Sequence, residues 1–509
     1  MSLVFKNIFW LTVSRGAALV FLFLAYAQLF RYLGPFGSGQ YQFVLSYVLI
    51  FSTVVDFGVQ QFITKRMSED PDNTKKYFQS FLVFESVLAV LLYGLLIAIA
   101  YFRHFDPLIF KAVAIIGLGM VANALCYPFL SVMTAKQDLK KVAFINFLNS
   151  IVNITIIFLA IWLKKYIVFL ASVQLVFGLI DLVLYRLFVR KHLVISNQLS
   201  SRVHPKRSTS EDQIASSSSF ASFGTGLAMT QSMNQVKKFQ IIIDILKHAW
   251  PFALLVGFSA IYNRIDIIII TRLLDYGQTG LYTAAYKFVD LLNFFPASVS
   301  HTLFPVLAGL MAAGMISDVK STLEKYLRLM IAVALPLAVG GMILAKPLIL
   351  LVAGQEFIDA APVLSILVWA IAILFIYIPI NSLIISQLTK SAALVTGMNV
   401  LINVVGNIIL IPIYGIKAAA IMTVISESIQ GIFYFYFVRK NITDFKFLSI
   451  LWKPLLASAV MGLTVWQIKD MNLVIPIMVG ACAYTLCLFL IGFIKKDDFR
   501  FVKDLIHAS

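Results

Sequence analysis

Hydrophobic positions in this chain run in spans of about 20 residues between short polar breaks, the length a helix needs to cross the hydrocarbon core of a bilayer. On that ruler about fourteen spans are predicted. They begin near Ile8, Tyr41, Phe78, Leu108, Val142 and Tyr166 in the first half, and near Ile245, Leu281, Thr322, Pro362, Ala392, Gly415, Phe447 and Leu473 in the second. Lys346 to Ala361 is expected to hold a short interfacial turn. The first span, Ile8 to Phe30, is too long for a signal-peptide core and lacks a small-residue cleavage site after it, so it reads as a retained membrane helix.

Polar landmarks recur along the chain. Lys6, Arg31, Gly39 and Tyr41 return about 241 residues later as Lys247, Arg272, Gly280 and Tyr282. Asn149 and Asn153 are echoed by Asn403 and Asn407. Duplication inside a hydrophobic chain is how many carriers are built. The repeat starts at spans one and seven, and an even number of spans keeps both copies in the same orientation. The predicted fold class is therefore an all-α integral membrane protein, with two six-helix lobes related by a parallel pseudo-two-fold repeat and two additional C-terminal helices. The lobes are placed at 1–191 and 245–440, with 441–509 holding the last two spans and a tail. Residues 192–244 carry the run Ser216 to Ser219 and scattered basic residues, too polar to fold alone, and read as a cytoplasmic disordered linker.

Composition agrees: 60% of residues are hydrophobic and 13% charged, with a mean hydropathy of +0.91, which excludes a soluble globular domain. The net charge of +17 does not gather into a nucleic-acid patch; it lies in clusters between spans. With the N-terminus inside, Lys65, Arg66, Lys75, Lys76, Lys136, Lys140, Lys141, Arg190, Lys191, Arg439, Lys440, Lys495 and Lys496 all fall on the cytoplasmic side, against the scattered Arg31, Arg103, Arg272, Lys346, Lys417 and Lys469 on the other. Lys164 and Lys165 are the exception. The expectation is a multi-pass protein of the cell inner (plasma) membrane with both termini cytoplasmic. Cys126, Cys482 and Cys487 all lie in apolar spans without metal-ligand or disulfide spacing, so no metal site is expected.

Three stretches carry a family resemblance. The first runs from Tyr32-Leu33-Gly34-Pro35-Phe36-Gly37-Ser38-Gly39-Gln40-Tyr41 to Asp56-Phe57-Gly58. The second runs from Tyr262-Asn263-Arg264-Ile265-Asp266 through Gly280-Leu281-Tyr282-Thr283-Ala284-Ala285-Tyr286-Lys287. The third, from Asn403 through Asn407 to Pro412-Ile413-Tyr414-Gly415 and Ala418-Ala419-Ala420, closes with Thr423 and Ser426-Glu427. Its Pro-x-Tyr-Gly is expected to break one helix, and the small residues beyond it to let the next pack closely. Together these resemble the oligosaccharide flippases (O-antigen type) of the multidrug/oligosaccharidyl-lipid/polysaccharide exporter superfamily. The resemblance implies a central cavity opening alternately to either side, and a cargo of polyprenyl-(di)phosphate-linked oligosaccharide moved from the cytoplasmic to the outer leaflet. Contact with polysaccharide-assembly proteins is a further expectation, and the serine-rich linker departs from the usual short inter-lobe loop.

Charged groups at bilayer depth face protein or water, because lipid cannot solvate them. Arg15, Asp56 and Glu85 sit at similar depth, roughly 10–12 Å from the inner boundary, and Arg15 is suited to a diphosphate. Nearer the outer face lie Arg264, Asp266, Lys287 and Asp290. Lys287 and Asp290 share a helix face, whereas Arg264 and Asp266 point to nearly opposite sides. Asp266 with Lys287 is the expected inter-helix pair. The cations Arg15, Arg264 and Lys287 are candidates for the substrate headgroup. Asp56, Glu85, Asp266, Asp290 and Glu427 are candidates for a coupling ion or for charge pairing. The coupling is expected to come from a proton or sodium gradient or the membrane potential, with no cofactor. The alternative is that these charges merely neutralise one another and pin helices together. Asn149 with Asn153, and Asn403 with Asn407, line helix faces, where inter-helix hydrogen bonding is the simpler reading than sugar contact. Tyr262 and Tyr286 are the rings suited to stack on a sugar if they face the cavity. A multidrug or metabolite cation-coupled antiporter of the same superfamily is the alternative function. The two extra spans favour the flippase. An enzyme is disfavoured, because no outer loop carries paired carboxylates and no phosphate-binding Gly-rich loop appears.

Overall fold

A computed structural model describes residues 2–56, 59–164, 166–203, 254, 257–387, 389–442, 444 and 447–493. Every regular element among them is helical. The first half folds as α1 (Ser2–Asp56), α2 (Val59–Glu69), α3 (Thr74–Phe102), α4 (Pro107–Ala124), α5 (Tyr127–Ala135), α6 (Leu139–Trp162) and α7 (Ile167–Val203). The second half begins with α8 (257–273). It continues as α9 (Tyr276–Ala312), α10 (Ile316–Ile343), α11 (Ala345–Val352), α12 (Ala361–Gln387), α13 (Thr389–Tyr414), α14 (Ile416–Asn441), α15 (Phe447–Gln467) and α16 (Val474–Leu490). Nine helices among the described residues are long and apolar enough to cross a membrane, and Val474–Leu490 is a shorter apolar helix. The all-α membrane class stands, and the count of fourteen is approximate. The stretch Lys346 to Ala361, expected to hold a short turn, forms most of α11 followed by a 3-10 turn at Gln355–Ala360.

Spans one and two share the single element α1, which breaks at Gly34. Its φ of 63° is left-handed, a conformation glycine adopts without strain, and Pro35 after it cannot continue the preceding hydrogen-bond ladder. The second repeat turns the same corner with different chemistry. Asp275, 241 positions on from Gly34, is extended, and its carboxylate accepts from the Gln278 backbone N–H at 2.7 Å to cap α9. The predicted Pro-x-Tyr-Gly break is present too: α13 ends at Tyr414, Gly415 has φ 64°, and Ala418, Ala419 and Ala420 are buried at the start of α14.

The chain forms two compact units. One comprises Met1–Tyr47, Ser150–Leu170 and Phe258–Ser509. At its centre α12 packs on α9, α10 and α14, while α13 lies on α14 and the α15–α16 hairpin on α10. Tyr282, Tyr326, Phe357, Phe375 and Tyr434 are among its fully buried side chains. The other comprises Val48–Asn149 and Ala171–Gly257. There α3 packs on α4 and α2 on α5, around Phe78, Phe81, Phe129, Met133 and Tyr185.

This grouping follows contacts rather than the sequence repeat, because the start of α1 packs with the second half of the chain. Arg31 donates from Nε to the Val352 carbonyl at 3.3 Å and from Nη2 to the Leu351 carbonyl, so it caps the C-terminal end of α11. Phe30 packs on Phe357, and Phe23 on Phe288. The linker expectation changes at one end. Helix α7 continues past the apolar stretch to Val203, and residues 204–244 lie outside the described residues.

Candidate functional site: a buried polar cluster in the second half

Helices α13 and α14 each present a polar stripe at helical spacing. On α13 it is Thr396, Asn399, Asn403 and Asn407; on α14 it is Thr423, Ser426, Glu427, Gln430 and Tyr434. All of these are buried, whereas Leu401, Val405, Ile408 and Ile409 on the other face of α13 are exposed. A helix in lipid turns its polar side chains toward protein, and the pattern follows that rule.

Asp266 on α8 sits where the stripes meet. Its Oδ1 accepts from Asn407 Nδ2 at 2.7 Å, and its Oδ2 accepts from the Tyr282 hydroxyl at 3.0 Å and the Thr423 hydroxyl at 3.3 Å. Asn407 also donates to Asn403 Oδ1 at 3.0 Å, and Asn403 donates to Ser426 Oγ at 3.4 Å. The Ser426 and Tyr262 hydroxyls lie 2.9 Å apart. At the adjacent position of α14 the Tyr377 hydroxyl donates to Glu427. Farther along, Asn399 donates to Gln430 at 2.6 Å, and Gln430 to the Tyr434 hydroxyl at 3.2 Å.

The donors that hold Asp266 are all neutral. The buried Asn407 Oδ1 has no hydrogen-bond partner among the described residues. Asp266 and Glu427 are thus both held by neutral donors, and Asn407 Oδ1 adds one acceptor that no donor among the described residues meets. Among the described residues no group of three His, Cys, Asp or Glu is arranged to hold a metal ion.

The expected pairing of Asp266 with Lys287 is not formed. Tyr282 is the α9 residue that meets Asp266, and five residues of helix turn Lys287 about 140° away from it. Lys287 instead pairs with Asp290, one turn on, at 3.1 Å, and lies over the Tyr26 ring at 4.4 Å from its centroid. The Lys287 side chain is only 13% exposed. Arg264 is half-buried and Asp266 is buried. Tyr262 and Tyr286 are half-buried; Tyr262 bonds Ser426 and Tyr286 packs against Tyr282 at 5.8 Å.

In the other unit Glu85 is buried. Asn149 donates to both Asp181 carboxylate oxygens, at 2.8 and 2.9 Å, so this asparagine ties α6 to α7. The side chains of Arg15, Asp56 and Asn153 lie outside the described residues. Two participants went unnoticed in the sequence. Asp181 stands inside an apolar span, and the depth rule that selected Glu85 selects it equally. Tyr377 carries no such signal, since one more tyrosine in an apolar helix is unremarkable before its partner Glu427 is placed.

The family model described as "Polysaccharide biosynthesis protein" matches residues 4–311. The model "Lipid II flippase MurJ" matches residues 220–482, which include the polar cluster. Among curated proteins, the chain is 23% identical over 248 residues to the probable low-salt glycan biosynthesis flippase Agl15 of Haloferax volcanii, covering 47% of this chain and 52% of that protein. It is 27% identical over 255 residues to the uncharacterized membrane protein MJ1068 of Methanocaldococcus jannaschii, covering 49% and 50%. The chain thus spans about half the length of each of these curated relatives. Among solved structures, it superposes on the lipid II flippase MurJ in an inward closed conformation with a TM-score of 0.70 at 16% identity, over 96% of this chain and 99% of that one. An inward-facing multidrug resistance MATE transporter gives 0.55 at 13% identity, over 85% and 94%. At such identities these structures show a shared fold.

Proposed function

The chain belongs to the polysaccharide biosynthesis protein family, and from that premise we propose that it is a flippase. It carries polyprenyl-(di)phosphate-linked oligosaccharide units from the cytoplasmic to the outer leaflet of the cell membrane by alternating access, with both termini cytoplasmic. One observation carries the reading. The α15–α16 hairpin, beyond the two repeats, borders an apolar cavity of about 540 Å³ together with α9, α10, α11 and α12. Its walls include Phe288, Leu292, Pro336, Met461, Ile477 and Tyr484, whose hydroxyl donates to the Ala332 carbonyl at 2.7 Å. A cavity of this composition suits an isoprenoid chain, and Lys287, next to Phe288, supplies positive charge for a phosphate.

Each residue group then has a task. Lys287 compensates the headgroup's negative charge, and Asp290 holds its ammonium in place. The hairpin cavity shelters part of the lipid chain. The Asp266 cluster takes up a coupling cation or proton, and binding there biases the equilibrium between conformations to the extent that affinity differs between them. One charge moved through 100 mV is worth about 2.3 kcal/mol, enough to bias such a cycle. The bilayer and the lipid-linked oligosaccharide are the partners implied, together with contact to polysaccharide-assembly proteins.

The alternative, a multidrug or metabolite antiporter, has in its favour the fold likeness to MATE transporters. Deleting the gene separates the two. Loss of surface polymer, with the polyprenyl-linked unit accumulating on the cytoplasmic leaflet, is expected of the flippase. Normal polymer with lost drug tolerance would establish the antiporter.

A further inference from the structure

Helix α14 ends in two adjacent cations, Arg439 and Lys440, in its last turn. Beyond them the chain turns at Asn441–Ile442 and re-enters helix at Phe447. Between the end of α14 and the start of α15 lies an open cleft of about 1050 Å³. The cleft has two kinds of lining. One end is polar, made by Arg439, Lys440, Asp444 and Ser449; the rest is apolar, made chiefly by Ile432, Phe435, Phe447 and Leu448. Phe435 and Phe447 pack at 4.9 Å between centroids and form the seam that joins the two helices.

The position of this cleft is fixed by the span that precedes it. Helix α14 is long and apolar enough to cross a membrane, so its last turn lies at the polar boundary of the bilayer. Ile432, about two turns earlier, is 67% exposed, and Leu448 is 79% exposed. Side chains like these are stable at that depth only against hydrocarbon. A water-soluble partner cannot reach Ile432, and Leu448, in the first turn of α15, continues the same apolar wall to the boundary. The complement of the surface is a molecule with an anionic head at the boundary and an alkyl chain directed into the leaflet.

The geometry points to a binding site for an anionic glycerophospholipid of the surrounding membrane, distinct from the transported substrate. Its phosphate meets Lys440 and Arg439, and one acyl chain lies along Ile432 and Leu448. The head of the site is not fully committed internally. Lys440 lies 5.7 Å from the Tyr436 ring centroid, and Arg439 uses Nε to meet Asp444 Oδ1 at 2.8 Å while its side chain stays largely exposed. Asp444 offsets one of the two positive charges and repels a phosphate. The site therefore selects negative headgroups with modest strength, as suits an abundant bulk lipid that exchanges with its neighbours.

The test uses the full chain in phosphatidylcholine nanodiscs doped with phosphatidylglycerol that carries a photoreactive acyl chain. Adducts are mapped by mass spectrometry to residues 432–449. Changing both cations, Arg439→Gln with Lys440→Gln, is expected to lower adduct yield about tenfold, while Asp444→Asn raises it about threefold. The rise cannot come from misfolding, so it tests the site even if the double variant expresses poorly. Three results would overturn the proposal: equal labelling by a photoreactive phosphatidylcholine, labelling insensitive to both sets of substitutions, or preferential labelling by a photoreactive polyprenyl diphosphate.

Discussion

Gly39 and Gly280 meet reciprocally. A Cβ on Gly39 would collide with the backbone carbonyl of Tyr276, and a Cβ on Gly280 would collide with that of Pro35. Tyr276 is the repeat counterpart of Pro35, as Gly280 is of Gly39, both pairs standing 241 positions apart. Residue i meets j while the equivalent of j meets the equivalent of i, the signature of a two-fold contact. The duplication seen as a sequence offset is thus also a physical contact, where α1 and α9 cross with their backbones touching.

This crossing predicts that Gly39→Ala and Gly280→Ala each destabilise the protein by about 1–3 kcal/mol, because backbone cannot yield as a side chain can. The two changes act on one contact, so the double variant should lose less than the sum of the singles. Thermal unfolding of the purified protein in detergent, read by intrinsic fluorescence, checks both statements. Additive losses would mean that the two glycines are not coupled.

Asp266→Asn keeps the shape of the side chain and most of its hydrogen bonds, but removes the charge. The protein should fold, and its transport should lose its response to an imposed proton or sodium gradient, with a rate about tenfold lower or worse. Measuring initial rates in proteoliposomes with and without each gradient tests this. Asn407→Ala removes both a donor to Asp266 and an unpartnered acceptor, and should weaken the same response.

Lys287→Met is expected to reduce transport strongly while leaving the fold intact, and Lys287→Arg to restore most of it. The cation matters to a diphosphate, and either side chain can stay over the Tyr26 ring and reach Asp290. Equal activity in the methionine variant would remove Lys287 from the headgroup site.

Filling the hairpin cavity tests the lipid-chain assignment. Ala481 is one of its lining residues, and Ala481→Phe should slow transport of a long polyprenyl carrier several-fold while sparing one with a short chain. An equal effect on both would mean that the cavity does not hold the chain.

Much of this architecture is legible in the sequence because a bilayer imposes strict rules. Apolar spans of membrane length, the breaks at Gly34-Pro35 and at Pro412-Ile413-Tyr414-Gly415, and the repeat offset all follow from local constraints on backbone and length. The importance of Asp266, Asn403, Asn407 and Glu427 as buried polar groups was also readable, since each is costly in lipid and must find a partner. Which partner each finds was not. Pairing Asp266 with Lys287 rested on opposite charge and similar depth, and the rotation of α9 brings Tyr282 to that place instead. The role of Arg31 as a cap on α11 was equally hidden, because its acceptors are backbone carbonyls more than 300 residues away in the chain.

The most direct measurement is translocation by the purified full chain in proteoliposomes loaded with a polyprenyl diphosphate-linked oligosaccharide, scored by access of an external sugar-modifying enzyme to the lipid-linked sugar. The expected result is gradient-stimulated exposure of the inner-leaflet pool by the native protein, sharply reduced in Lys287→Met. No exposure above protein-free vesicles, in a preparation whose folded state is verified, would contradict the flippase reading.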